Sequence, residues 1–459
     1  MSATASGLRE LRTRLIGRAA ARGEATYGEL AAADFPNLEV PWNPDVVIAC
    51  ATVADVVAGV GFAADNDLKI AIRNGGVGWV GAPPGTVLLD MAGLAEVAID
   101  TEARTVRAQA GAIWCDVHRE LAPHGLAAAG PQFPRLGIAG HVLGGGHGWL
   151  TRKLGWASDT LRSVDLVTAR GDHVHASARE HPDLFWALRG AGHNFGVAVT
   201  LELELIELNE VSFGLVWFAP DRSGDAMRFL REWVEQTPDE LTTIISAAHP
   251  PPGWTGPPEL AEQAMIHVIV CHCGARDQAV TDLAPLTSHP GVFTHDLKRM
   301  PWPKLATGND VFASGVHRRS RMHYTAGLSD PLIELTERRM RELEPSTFIS
   351  IHYYAGAVAR VAEDATAMSH RDKAWNYMVS IAWEPGDDGA RLRCWQDAFL
   401  DDVAGHSYDA YYVNYLFDEP QHVQAAYSAP AWARLRALKS TWDPGNLFTA
   451  NQNVPPGRP

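Results

Sequence analysis

The sequence predicts an α+β protein of two parts: an α/β unit drawn from both ends of the chain, and a middle unit made of one large antiparallel sheet backed by helices. Three observations predict it. Short β-branched runs alternate with amphipathic stretches up to about residue 206. Longer strand-like segments separated by helical stretches follow, and residues 427–459 return to a helix, a Pro-Gly turn and a polar tail. The expected units are therefore 1–206 with 418–459, and 207–417.

Taken in order, Leu8, Leu11 and Leu15 recur at helical spacing and predict a packed surface helix in place of a signal segment. VVIACA, KIAIRNGG, TVLLDM, VAID and TVRAQAG read as strands around the amphipathic VADVVAGVGFAADND. A glycine cluster at 144–148 precedes further strands at SVDLVTA, HVHASA and FGVAVTLELELI. The middle unit reads VSFGLVWFAP, ELTTIISAAHP, AMIHVIVCHCG, FISIHYYAG, NYMVSIAWEP and DAYYVNYLF as strands, with PLIELTERRMRELE among the helices.

Composition narrows the function. A chain of 459 residues, 46% hydrophobic, can bury large cores, and a net charge of −15 without long basic runs argues against nucleic-acid binding. Five cysteines without a C-x-x-C pair predict neither a disulfide framework nor a zinc site. No apolar run reaches membrane-spanning length. The expectation is a cytoplasmic monomer or homodimer that takes a small-molecule substrate, with no metal, nucleic-acid or membrane partner.

Residues 76–81 spell Gly-Val-Gly-Trp-Val-Gly after a strand, the string of a Rossmann turn. The context rejects that reading, because such a turn opens a helix, whereas Pro83, Pro84 and Gly85 lead here into another strand. What fits is a backbone nest for an anion, in which glycine allows close approach and positive φ. A second cluster, GIAGHVLGGGHGWL at 137–150, carries too many glycines for a stable helix. Two such loops in one unit predict a long, flat, anionic ligand.

The runs IRNGGVGWVG, GIAGHVLGGGHGWLTRKLGWASD and HPDLFWALRGAGHNFGVAVTLELEL, with the ending YYVNYL…LKSTWDPGNLFTANQNVPP, together resemble the berberine-bridge-enzyme-like FAD-linked oxidoreductases over nearly the whole chain. The resemblance implies a PCMH-type FAD-binding domain built from both chain ends and a substrate domain whose sheet lies over the flavin. It places Arg73, Asn74, Gly75, Gly76 and Gly78 on the pyrophosphate and Gly140, His141, Gly144, Gly145 and Gly148 along a second wall, with Val197, Asn414 and Asn451 also at the cofactor.

The chain departs from the family at both covalent anchors. The family's flavin-bonding histidine matches Val77, and the cysteine of bicovalent members matches Phe133. Neither side chain has a nucleophilic atom, so the expectation is noncovalent FAD and a weaker oxidant. Ile138, where the family's valine is associated with dioxygen access, and Ala139 are expected to crowd that wall.

Flavin oxidation of a C–H bond needs a hydride acceptor and usually a base for a neighbouring O–H or N–H proton. The resemblance implies a tyrosine base in a Tyr-x-Asn-(Phe or Tyr) strand; Tyr412 matches that base, and Asn414 and Tyr415 complete the motif. Strand alternation would put Tyr412 and Asn414 on one face, and Arg371, His352 or His147 could favour the phenolate. His147 is a second acid or base. His352 and Tyr354 share a face in FISIHYYAG, opposite Ile351 and Tyr353, and with Arg371 form the expected substrate contacts. His267, His272, Cys271 and Cys273 lack zinc spacing and are expected to pack. The leading expectation is FAD-dependent dehydrogenation or oxidative cyclisation of a small aromatic or polyketide-like metabolite. The alternative is a redox-neutral cyclase or isomerase in which FAD is structural or absent.

Overall fold

The computed structural model describes residues 3–32, 42–77, 81–251, 254, 256–308, 315–416, 419–450 and 452–457. Helix Ala3–Arg14 buries Leu8 and Leu11, as its spacing predicts. A first sheet has the spatial order Arg18–Ala21, Val46–Ala49, Thr86–Asp90, Lys69–Arg73, and its last three strands run parallel. Parallel neighbours need a crossover, and helix Val53–Asp65, opened by a Thr52–Asp55 capping box, supplies one.

A second, antiparallel sheet has the order Val97–Asp100, Thr105–Gln109, Val197–Glu204, Leu161–Val167, His173–Ser177. The chain then enters an eight-stranded antiparallel sheet. Its path is Val292–His295, Glu210–Phe218, Met265–His272, Leu241–Ala248, Phe348–Tyr353, Trp375–Trp383, His317–Thr325, with Lys298–Pro301 also paired to Glu210–Phe218.

Alternation divides this sheet into two different faces. One face, with Val216, Ile245, Ala247, Ile349, Ile351, Tyr377 and Val379, packs against Leu230 and Trp233, Leu332 and Ile333, and Phe399 and Leu400, from three helices. On the other face Met322, Tyr324 and Met378, with Tyr354 just past a strand end, join the core of the first two sheets. The chain end returns to that core: Lys439 Nζ, on helix Ala429–Trp442, donates to the Asn194 carbonyl at 2.7 Å and pairs with buried Asp443 at 2.8 Å. Among the described residues no helix is long and apolar enough to cross a membrane.

Three of the segments that differ from the sequence expectation shape the site and the large sheet. Among its described residues, DAYYVNYLF forms no strand; Val413–Tyr415 is a single 3-10 turn. The segment GIAGHVLGGGHGWL does begin with a helix, Ile138–Leu143, because the glycine run starts only at 144. His317–Thr325, unread as a strand because arginines interrupt its alternation, is the edge strand of the large sheet, and edges tolerate charge.

Candidate active site

The two glycine loops meet backbone to backbone. A Cβ on Gly75 would lie 2.4 Å from the Gly137 nitrogen, and one on Gly137 would lie 2.4 Å from the Gly75 nitrogen. Gly76 has φ +67°, a conformation that glycine adopts freely. Gly137 leads into helix Ile138–Leu143, in which every side chain is buried while Gly140 is exposed with nothing within 4 Å of its Cβ position. This is a cradle that only glycine leaves open, and it suits the flat, anionic ligand expected from the sequence. Gly75→Ala is expected to push the loops apart and destabilise the fold by about 1–3 kcal/mol, read as a lower Tm.

Several expected cofactor contacts sit elsewhere. Arg73 is not free to meet a pyrophosphate. Its guanidinium donates to the Leu30 and Ala31 carbonyls at 2.7 Å each and to Asp90 at 2.9 Å, a cation capping the C-terminal end of helix Tyr27–Ala31. Ile138 and Ala139 are buried in the core cluster. Val197 and Phe133 are buried, whereas Asn74 and Val77 are half-buried beside the cradle. Asn74 Oδ1 has no hydrogen-bond partner among the described residues. Gly78 and Asn451 lie outside the described residues.

The loop after the helix is packed to backbone tolerance. A Cβ on Gly144 would lie 1.9 Å from Asn414 Oδ1 and one on Gly148 1.8 Å from the Gly130 carbonyl, while Gly145 has φ +111°. His141 supports this loop from behind. Its Nε2 lies 3.0 Å from the His147 carbonyl, which can only accept, so Nε2 carries the proton. Burial lowers the His141 pKa to about 4.

The 3-10 turn gives the two tyrosines of the YVNY motif different tasks. Residues i and i+3 eclipse in such a turn, and the Tyr412 and Tyr415 rings lie 5.2 Å apart. Tyr412 is 1% exposed, stacks on Trp156 at 5.0 Å, and accepts N–H bonds from Gly146 at 2.8 Å and Asn414 Nδ2 at 3.2 Å. Asn414 Nδ2 also lies 3.0 Å from the His141 carbonyl. Burial raises the Tyr412 pKa, although these donors act against it. The expectation that Arg371, His352 or His147 assists Tyr412 through its side chain is not met; backbone and amide donors hold it, and it braces the loop.

Tyr415 is half-buried, and its Oη is hydrogen-bonded to His147 Nε2. His147 Nδ1 is buried with no hydrogen-bond partner among the described residues. Burial, with His352 and His141 nearby, pushes the His147 pKa well below its ordinary value, so the ring is a neutral proton acceptor at pH 7. Burial likewise raises the Tyr415 pKa.

The large sheet supplies the facing wall. His352 lies 5.1 Å from the His147 ring and Tyr354 lies 5.5 Å from it, so this pair, and not Ile351 and Tyr353, faces the site. His352 Nε2 bonds Ser350 Oγ at 2.9 Å, whereas Tyr354 Oη is buried without a partner among the described residues. Arg371 does not join them. Its terminal nitrogens grip Asp159 at 2.6 and 2.9 Å and reach Thr366 Oγ1 at 2.8 Å, a buried ion pair tying the two walls together. The cysteines stand apart: Cys271 and Cys273 are buried, and His272 between them bonds Asp282 at 2.8 Å.

Comparison with known proteins agrees with this geometry. The FAD binding domain family matches residues 44–177, and the "Berberine and berberine like" family matches 411–455. The FAD-linked oxidoreductase pgmH of Aspergillus terreus is 32% identical over 411 residues, covering 82% of this chain and 79% of its own. (R)-6-hydroxynicotine oxidase of Paenarthrobacter nicotinovorans is 29% identical, covering 90% and 92%. Among solved structures, 6-hydroxy-D-nicotine oxidase from Arthrobacter nicotinovorans superposes with a TM-score of 0.84 at 25% identity, covering 96% of this chain and 98% of that one. A chitooligosaccharide oxidase gives 0.87 at 21% identity over 100% of both chains, a likeness of fold. With its cradle and its tyrosine–histidine wall in the segments these relatives share, the chain belongs to the berberine-bridge-enzyme-like FAD-linked oxidoreductases.

Proposed function

We propose that the chain binds FAD noncovalently and dehydrogenates a small aromatic metabolite, with Tyr415 and His147 acting together as the base. The observation that carries this reading is the hydrogen bond between Tyr415 Oη and His147 Nε2 beside the glycine cradle. FAD in that cradle would supply the two-electron acceptor. Gly75, Gly76 and Gly140 leave room for it, and the half-buried Asn74 offers an unpartnered Oδ1.

The residues then account for the proton. Tyr415 Oη takes it from the substrate's hydroxyl or amine while its own proton passes to His147 Nε2. A phenol with a raised pKa is a poor base alone, but a neutral imidazole already bonded to it removes that obstacle. Val77 and Phe133, the positions that the resemblance matches to the family's covalent anchors, offer the flavin no nucleophile.

Acid precipitation tests the cofactor half: yellow flavin is expected in the supernatant, and flavin retained in the pellet would overturn noncovalent binding. Anaerobic mixing with a panel of phenols and aromatic alcohols tests the redox half. Bleaching of the flavin band supports dehydrogenation, whereas product without bleaching supports the redox-neutral reading, for which the same Tyr415–His147 pair would supply the acid–base chemistry.

A further inference from the structure

On the sheet face turned toward the site, cross-strand register aligns Tyr324, Asn376 and His352 in one row and Met322, Met378, Ser350, Ser246 and His267 in the next. Neither row contains a carboxylate, a lysine or an arginine. Burial lowers the His352 and His267 pKa values to about 4, so both rings are neutral at pH 7. The buried ions Arg371 and Asp159 neutralise one another.

Asn376 is the anomaly in this face. It is 0% exposed, and neither its Oδ1 nor its Nδ2 has a hydrogen-bond partner among the described residues. Its neighbours Trp375 and Tyr377 turn to the helix-covered face, so its carboxamide points to the side that holds His352, Met378 and Tyr324. Directly opposed side chains in an antiparallel pair start about 5 Å apart, which puts the amide beside the His352 ring. Leaving both ends of a carboxamide without a protein partner in a buried sheet costs stability, and such a cost persists where the group serves recognition.

We infer that Asn376 is a substrate-recognition residue, giving and taking a hydrogen bond with one uncharged polar group, and that the site therefore selects neutral substrates. This rests on the proposed reading of the site between the glycine cradle and the sheet. A donor and an acceptor side by side complement an amide, a lactam, or a hydroxyl next to a carbonyl. An anion or a cation would enter a wall without a counter-charge and lose its hydration uncompensated. Tyr354 Oη and His147 Nδ1, also buried and unpartnered, supply the remaining polar contacts.

The test uses the FAD-loaded protein, Asn376→Leu, and three near-isosteric probes: benzamide, benzoate and benzamidine. Benzamide is expected to raise Tm and perturb the flavin band, with the two ions binding at least about tenfold more weakly. Asn376→Leu should weaken benzamide about tenfold while raising the ligand-free Tm by roughly 2 °C, because an unsatisfied amide has been replaced by an apolar group of similar size. A purely structural asparagine would do the opposite. A lowered Tm, or a variant that does not fold, overturns the assignment, as does ionic binding equal to that of benzamide, or no binding by any probe. Flavin content, read in the same samples, reports separately on the redox reading: a colourless protein would count against that reading while the ligand-free Tm still tests Asn376.

Discussion

Tyr415→Phe is expected to slow anaerobic flavin bleaching by about 10²–10⁴-fold, the usual worth of a positioned acid–base group, while leaving flavin content nearly unchanged and costing at most about 1–3 kcal/mol of stability, because His147 Nε2 loses its partner. The phenol loses only its oxygen, and the ring still fills its place against Tyr412 and His147. His147→Phe should slow the reaction similarly, because the proton leaving Tyr415 then has no acceptor. Tyr412→Phe should behave differently. Its hydroxyl receives the Gly146 and Asn414 donors, so its loss leaves buried N–H groups unpaired, costing about 1–3 kcal/mol of stability and loosening the cradle. The variant should lose flavin and melt earlier, with a bleaching rate per bound flavin within about tenfold of the parent. If Tyr412→Phe instead abolishes bleaching with flavin retained, the roles assigned to the two tyrosines are reversed. The pH profile gives a further check. His147 acts when neutral and its pKa lies well below 6.5, so the rate should hold through pH 6.5 and fall only as pH drops toward that lowered value.

How much of this was legible in the sequence depends on whether a residue's role is set locally. The glycines announced a cradle because no other residue permits Gly75 and Gly137 to touch. The strand pattern of FISIHYYAG paired His352 with Tyr354, and the fold needed only to say which pair faced inward. The YVNY motif suggested a strand with Tyr412 as its base, because an aromatic every few residues suits a strand and a 3-10 turn alike; the turn brings Tyr415, and not Tyr412, to His147 Nε2. Arginines were hardest to read. Arg73 and Arg371 looked like ligand clamps until Asp90 and Asp159, distant in sequence, were seen to hold them. Asn376 carried no sequence signal. Its distinction is the lack of a partner, which only the packed sheet reveals.

The fold should also be unstable toward acid, with a steepness set by its histidines. His118, His141, His267 and His352 are buried, and burial is the first cause lowering each pKa, to about 3 for His118 and about 4 for the others. The unfolded chain titrates these rings near 6.5. Between pH 6.5 and about 4 the unfolded state therefore holds protons that the folded state refuses, and stability falls as pH falls across that window. Each fully engaged histidine contributes up to about 1.4 kcal/mol per pH unit, so four acting together outweigh a typical folding free energy within two or three units. Urea midpoints should be flat above pH 7 and collapse toward pH 5. His118 isolates the cause. It stacks on Trp114 at 5.4 Å and neither ring nitrogen has a hydrogen-bond partner among the described residues, so His118→Phe removes a proton-binding group without breaking a bond. The variant should match or exceed the parent at pH 7.5 and keep more stability at pH 5, with a slope shallower by about one proton. A parent whose midpoint holds unchanged to pH 4.5, or a His118→Phe slope as steep as the parent's, would show that these histidines are reached by water and can be protonated in place.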